Sequence, residues 1–203
     1  MKIIAVGRNY PEHAKELNNE IPTEPVIFLK PDTSLLSNNQ PFYLPDFSKD
    51  IHHEVELVLK ICKEGKHISE KYANNYYEEI GIGIDFTARN IQHKLKLKGL
   101  PWELAKGFDN AAPIGKFLLK SSFADLKNIH FHLDINGKTV QTGNTSELLF
   151  SFDDIISFVS QYITLRKGDL IYTGTPSGSG PVVVGDKLQG YIENNKLLEF
   201  EIK

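Results

Sequence analysis

Apolar and polar residues alternate most cleanly in His52–Ile61, "HHEVELVLKI". Val55, Leu57, Leu59 and Ile61 fall on one face of a strand, and Glu54, Glu56, Val58 and Lys60 on the other, because successive strand side chains point to opposite sides. Upstream, "KIIAVG" predicts a first strand. A short helix follows over "RNYPEHAKELNNEI", with Pro11 in its first turn and Pro22 beyond its end. "VIFLK" predicts the next strand, stopped by Pro31, and the stretch from Asp32 to Asp50 reads as irregular. "SEKYANNYYEEI" has helical spacing, and "GIGID" is a short apolar strand.

Further along, "TARNIQHKLKLKG" predicts a helix ending at Gly99, and "PWELAKGFDNAAPIG" reads as a loop. "IHFHLDINGKTVQTG" predicts a hairpin, with Asn136-Gly137 supplying the positive φ angles of a type I′ turn. "SFDDIISFVSQYI" predicts a helix. Ser151 and Asp154 form its capping-box start, and Ile155, Ile156, Val159 and Ile163 follow helical spacing. "GDLIYTG" and "GDKLQGYIENNKLLEFEI" complete the chain as strands. Strands outnumber helices and do not form regular βαβ units, so the expected class is a β-rich α+β fold.

Composition narrows the function classes. A chain of 203 residues fits one domain, 1–203, with enough length for a core. The net charge of −3 offers no general attraction to nucleic acid or an anionic membrane. No apolar run approaches the roughly 20 residues of a membrane span. The opening "MKIIAVGRNY" is too short in apolar residues to predict a signal peptide. The single cysteine, Cys62, has no internal disulfide partner, reads as structural, and fits a reducing cytoplasm.

Two like charges side by side on one strand face have two readings. Glu54 and Glu56 either line a solvated outer face or share a divalent cation. Asp85, at the end of the apolar strand "GIGID", is either the N-cap of the "TARNIQHK" helix or a third ligand of that cation. An all-oxygen set of Glu54, Glu56 and Asp85 points to Mg²⁺, with Mn²⁺ or Ca²⁺ as substitutes. Zinc would prefer histidine, and His52 shares the acidic face if the strand extends that far, so zinc stays open. His130 and His132, as "HFH", read as a solvated strand face. His13 and Glu16 lie three apart on the first helix and are either a surface pair or a base oriented by a carboxylate. Lys94, Lys96 and Lys98 read as a solvated run. "TGTPSGSGP" lacks the lysine and spacing of a P-loop, and no nucleophile elbow is present.

Taken together, the chain resembles the fumarylacetoacetate hydrolase family, in its small single-domain members. The segments that carry the likeness are "GRNYPEHAKE", "FLKP", "HHEVELVL", "GIDFTARNIQ", "AKGFDNAAPIG", "INGKTVQTGNT" and "GDLIYTGTPSGSGPVVVGD", in order over nearly the whole chain. The resemblance implies a mixed β-roll and a homodimer. It implies that Glu54, Glu56 and Asp85 hold Mg²⁺, that Lys106 lies beside the metal and substrate, and that Arg89 and Gln92 line the pocket. It implies further that Thr175 binds the substrate carboxylate end, and that His13 and Glu16 are an acid/base dyad on a mobile lid. Asn90 departs from the family, which more often has an acid after "AR", and this puts the support of Arg89 in question.

The expected activity is a Mg²⁺-dependent hydrolase that cleaves a C–C bond in acylpyruvate-type 2,4-dioxo acids through a metal-stabilised pyruvate enolate. The same site permits oxaloacetate decarboxylation or isomerisation of a 2-oxo diacid as the alternative. A non-catalytic metal- or ligand-binding domain is the third reading.

Overall fold

The computed structural model describes residues 1–17 and 19–203. The chain runs β1 (Ile3–Gly7), α1 (Pro11–Glu16), β2 (Val26–Lys30), β3 (Leu35–Leu36), β4 (Ile51–His53) and β5 (Val55–Ile61). It continues through α2 (Glu70–Ala73), β6 (Tyr77–Ile84), β7 (Thr87–Ala88), α3 (Arg89–Leu97), α4 (Glu103–Lys106) and β8 (Ala112–Leu119). It closes with β9 (His130–Ile135), β10 (Lys138–Asn144), α5 (Phe152–Tyr162), β11 (Leu170–Tyr172), β12 (Gly180–Pro181), β13 (Lys187–Ile192) and β14 (Asn195–Glu201).

A seven-stranded sheet has the order β2-β1-β11-β5-β6-β8-β3, a four-stranded sheet β10-β9-β13-β14, and a small sheet β12-β4-β7. β1–β11 and β3–β8 pair in parallel and the other pairs are antiparallel, so the large sheet is mixed. This strand-rich architecture with short helices is the expected β-roll.

β5 sits in the middle of the large sheet. Its Val55, Leu57, Leu59 and Ile61 enter the main core, while Val58 packs on the opposite face with Ile3, Ala5 and Tyr172. Both faces are therefore covered, and Glu54 and Glu56 are buried rather than solvated. Between β4 and β5 the ladder breaks at Glu54, whose carbonyl accepts from the Asp85 N–H at 2.8 Å. β5 and β6 are antiparallel, with Val55 opposite Ile84 and Glu56 opposite Gly83. That register carries Asp85, one residue past β6, to Glu54.

The hairpin and the long helix form as the sequence predicts. Asn136 and Gly137 have φ of 53° and 78°. In α5 the Ser151 hydroxyl accepts from the Asp154 N–H, and the Asp154 carboxylate accepts from the Ser151 N–H.

Three expectations need correction. The first helix is shorter, because Arg8 takes a left-handed φ of 61° and Tyr10 is extended, so helix begins only at Pro11; Asn18 of the expected span lies outside the described residues. "SEKYANNYYEEI" is helical only over Glu70–Ala73 and becomes strand at Tyr77. Pairing with β5 and burial of Tyr77 against Phe152 outweigh its helical spacing. "PWELAKGFDNAAPIG" contains α4 and the start of β8, and α4 turns Ala105 and Lys106 inward.

Candidate active site

The acids converge at one end of the large sheet. Oxygens of Glu54, Glu56 and Asp85 lie within 4.8 Å of one another, the one such group of His, Cys, Asp and Glu among the described residues. Glu54 comes from the break before β5, Glu56 from β5 and Asp85 from the end of β6. Asp85 is not a helix cap; α3 begins after Ala88 with no side-chain cap.

Three cations surround the acids. Lys106 Nζ donates to Glu54 Oε2 and to Asp85 Oδ2, both at 2.6 Å. Arg89 Nη2 donates to Glu54 Oε1 at 2.6 Å, while its Nη1 donates to Gln92 Oε1 at 2.6 Å. Lys30, buried at the end of β2, lies 2.6 Å from Asp85 Oδ1. Its ammonium protons are directed to the carbonyls of Phe86, Lys106 and Ala111. Asp85 Oδ1 is thus paired with the Lys30 ammonium.

Glu56 alone has no cation in contact. Its Oε2 accepts the Gly174 N–H at 2.7 Å. Gly174 has φ of 104°, and a Cβ there would come within 2.7 Å of Asn9 Cβ, so this donor needs glycine. Burial, then Asp85 and Glu54, push the Glu56 carboxyl well above its usual range. Burial also raises Glu54, but Lys106 and Arg89 outweigh it and hold its pKa well below that range. Burial lowers the Lys106 ammonium, yet Asp85 and Glu54 leave it raised. Burial, with Lys106 nearby, lowers Lys30 despite Asp85.

These residues fit a hard divalent cation. The donors are all oxygen, their three carboxylates converge, and Glu56 is a buried acid with no cation in contact. His52 does not join them. It bonds Asp50 at 2.9 Å, and the break at Glu54 takes it off the acidic face, which removes the zinc alternative's extra ligand. His132 stacks on Tyr191 at 4.5 Å, and His130 is exposed, as a polar strand face requires.

α1 closes the pocket above the acids. His13 is buried, and its Nδ1 lies 2.9 Å from Glu16 Oε2. A carboxylate there favours the tautomer with the proton on Nδ1, leaving Nε2 free to accept one. Glu16 Oε1 also accepts the Gly178 N–H at 3.1 Å, which ties α1 to the "TGTPSGSGP" turn. Thr175, in that turn, lines the same pocket as Glu54, Asp85, Arg89, Gln92, Lys106 and His13. Asn90 does not support Arg89; it accepts from Ser48 Oγ and the Ile91 N–H.

The sequence reading missed Lys30, Gln141 and the pocket face of Lys96. Lys30 shared the inward face of "VIFLK" with Phe28, a signal for a buried lysine. Gln141 is buried and fully engaged. Its Oε1 accepts the Val55 N–H at 3.0 Å and faces the His53 Nδ1 at 2.9 Å; its Nε2 donates to Thr175 Oγ1 and Pro176 O, both at 2.9 Å. With its oxygen occupied as an acceptor, Thr175 keeps its own proton to donate into the pocket. Lys96, expected in a solvated run, lines the pocket instead.

Comparison with known proteins agrees with this geometry. A family model described as fumarylacetoacetate (FAA) hydrolase C-terminal matches residues 2–203. The chain is 46% identical over 189 residues to a mitochondrial oxaloacetate decarboxylase of Dictyostelium discoideum, covering 93% of this chain and 87% of that protein. It is 41% identical to a mitochondrial oxaloacetate tautomerase of Mus musculus, covering 99% and 91%. The crystal structure of fumarylpyruvate hydrolase from Pseudomonas aeruginosa in complex with Mn²⁺ and pyruvate superposes with a TM-score of 0.93 at 31% identity, covering 100% of this chain and 89% of that one. Matched over so much of its length, the chain belongs to the fumarylacetoacetate hydrolase family and is an enzyme.

Proposed function

We propose that this enzyme acts on oxaloacetate at the C2–C3 enolate, as a tautomerase or decarboxylase. The acylpyruvate hydrolysis ranked first from sequence gives way to its alternative, which the oxaloacetate-specific relatives support better. The observation that carries the reading is the meeting, in one pocket, of the acid cluster, Lys106 and the His13–Glu16 pair. That set can hold a 2-oxo acid at its carbonyl and exchange a proton at C3.

Glu54, Glu56 and Asp85 would hold Mg²⁺, with Mn²⁺ or Ca²⁺ as substitutes; the bound cation would supply Lewis acidity toward a 2-oxo acid. Arg89, Gln92 and Thr175 would orient the substrate through its carboxylate end. Lys106 would set its positive charge against the negative charge that develops on O2. His13, oriented by Glu16, would move the proton at C3. In tautomerisation the enol O2–H proton leaves and C3 gains one. In decarboxylation the C3–C4 bond breaks, CO₂ departs, its electron pair enters the C2–C3 enolate, and C3 is then protonated to give pyruvate. Closure of α1 by Glu16 excludes bulk water from these steps.

A homodimer is part of the proposal, with exposed Tyr43, Phe47, Val183 and Val184 available as apolar contact surface. No helix among the described residues is long and apolar enough to cross a membrane. Cytoplasmic placement rests on composition, while both curated relatives named above are mitochondrial.

The test is purified protein with Mg²⁺ or Mn²⁺ given enol and keto oxaloacetate. Loss of enol absorbance and release of pyruvate are followed separately, with EDTA controls. Metal-dependent acceleration of either supports the proposal. Cleavage of acetylpyruvate with oxaloacetate left untouched would return the hydrolase reading.

A further inference from the structure

At the inner end of the pocket Glu54 and Asp85 are paired with Lys106 and Arg89. Two further cations line its outer half, Arg8 and Lys96. Among the described residues neither forms a salt bridge with a carboxylate. Arg8 has only the Trp102 ring, 5.9 Å from its guanidinium carbon. Lys96 donates to the Asn19 side-chain oxygen at 2.5 Å. Cations left without counter-charges in a concave site mark the position of an anionic occupant.

Both are held there by the fold. Arg8 sits at φ 61°, a left-handed conformation that is strained for a non-glycine residue. The conformation is enforced by Asn9, whose side chain bonds the Phe150 and Thr173 backbones at 2.8–3.0 Å. Lys96 lies on α3 four residues beyond Gln92 and seven beyond Arg89, hence on the same helix face. Side chains on a helix lean toward its N-terminus, so the Lys96 stem reaches back toward Arg89. Burial, then Arg8 and Arg89, lower the Lys96 ammonium from its ordinary value.

We propose that Arg8 and Lys96 form a second carboxylate subsite, which makes the enzyme select 2-oxo dicarboxylates over monocarboxylates of equal length. The inference rests on the oxaloacetate reading for its substrate but not for its binding test. A 2-oxo acid placed with its carboxylate and oxo group at the inner end points its other end toward Arg8 and Lys96. A C4 carboxylate there gains charge-assisted hydrogen bonds, whereas a methyl group leaves both cations desolvated and unpaired.

The experiment compares malate with 2-hydroxybutyrate, equal in chain length, different only in the distal carboxylate, and unable to undergo the reaction. Both are titrated calorimetrically into Mn²⁺-loaded wild type, Arg8→Met, Lys96→Met and Arg8→Lys. Wild type is expected to bind malate about tenfold or more tighter, the usual effect of one charge-assisted contact. Either Met substitution should abolish most of that preference and leave 2-hydroxybutyrate binding unchanged; Arg8→Lys should retain part of it. No preference in wild type, or equal losses for both ligands in the variants, would overturn the subsite. A preference lost in the Met variants, in a protein that does not turn over oxaloacetate, would uphold the subsite and defeat the proposed reaction.

Discussion

Glu56→Gln should stabilise the metal-free protein while abolishing its stabilisation by metal. Glu54 has Lys106 and Arg89, and Asp85 has Lys106 and Lys30, but Glu56 has only the Gly174 N–H. Its carboxyl is pushed up by burial and by its two acidic neighbours. A raised folded-state pKa means that the native protein binds this proton where the unfolded chain, titrating near 4.5, has released it. The resulting destabilisation is absent below about pH 4.5 and grows as pH rises, by about 1.4 kcal/mol per pH unit, until the folded-state pKa is reached. At pH 7 it is at most about 3.4 kcal/mol. Glutamine keeps an oxygen to accept from Gly174 and carries no charge, so it recovers that amount. Urea unfolding of both proteins in EDTA at pH 5, 6, 7 and 8 measures it, and the difference should widen with pH. In Mn²⁺ at about one thousand times Kd the order should reverse, since binding to the native state alone then adds about 4.1 kcal/mol. A metal-free Glu56→Gln protein less stable than wild type at pH 7 would refute the reasoning.

His13→Ala should retain Mn²⁺ binding by calorimetry and lose turnover by about 10²-fold or more, the usual contribution of a positioned acid or base; normal turnover would remove His13 from the chemistry. Glu16→Ala removes the partner of His13 Nδ1 and the acceptor of the Gly178 N–H together. It should lower kcat, and limited proteolysis should show α1 cleaved more readily. Gln141→Leu strands the buried Val55 N–H and removes the donor to Thr175, at about 3 kcal/mol in urea unfolding with a raised KM. A loss below about 1 kcal/mol would show that water or a rearranged Thr175 replaces it.

The acid cluster was legible because its signals are local. Glu54 and Glu56 share a face by strand periodicity, and Asp85 ends an apolar run where a carboxylate needs a partner. Their burial was not legible, since it depends on β11 and β6 flanking β5 in the finished sheet. Lys30 and Gln141 were lost for the same reason. Each acts on a residue far away in sequence, and a lysine after "VIFL" or a glutamine in a hairpin strand looks ordinary until the sheets assemble. The mistaken helix over "SEKYANNYYEEI" has the converse cause. Its spacing is helical, but the Tyr77–Ile84 backbone finds ladders on both sides, with β5 and β8. Lys96 was assigned to solvent with Lys94 and Lys98, although position 96 falls on the helix face of Arg89 and Gln92.

The distribution of unmatched charge gives the pocket a direction. At the inner end one acid, Glu56, lacks a counter-charge; at the outer end two cations, Arg8 and Lys96, lack theirs. Flexible side chains would relax toward each other and cancel, but here they cannot. Glu56 is fixed in the central strand, between Gly83 across the ladder and the Gly174 N–H. Arg8 is fixed by the left-handed turn that Asn9 clamps. The sheet thus holds the groups apart, and the energy it withholds is available to an occupant that is cationic at one end and anionic at the other. A divalent cation carrying a 2-oxo dicarboxylate has that polarity: its metal would meet Glu56, and its distal carboxylate would meet Arg8 and Lys96. A monocarboxylate meets only the first demand. On the proposed reading, specificity in this pocket would follow from what the fold leaves uncompensated, and metal and substrate would complete one another's binding.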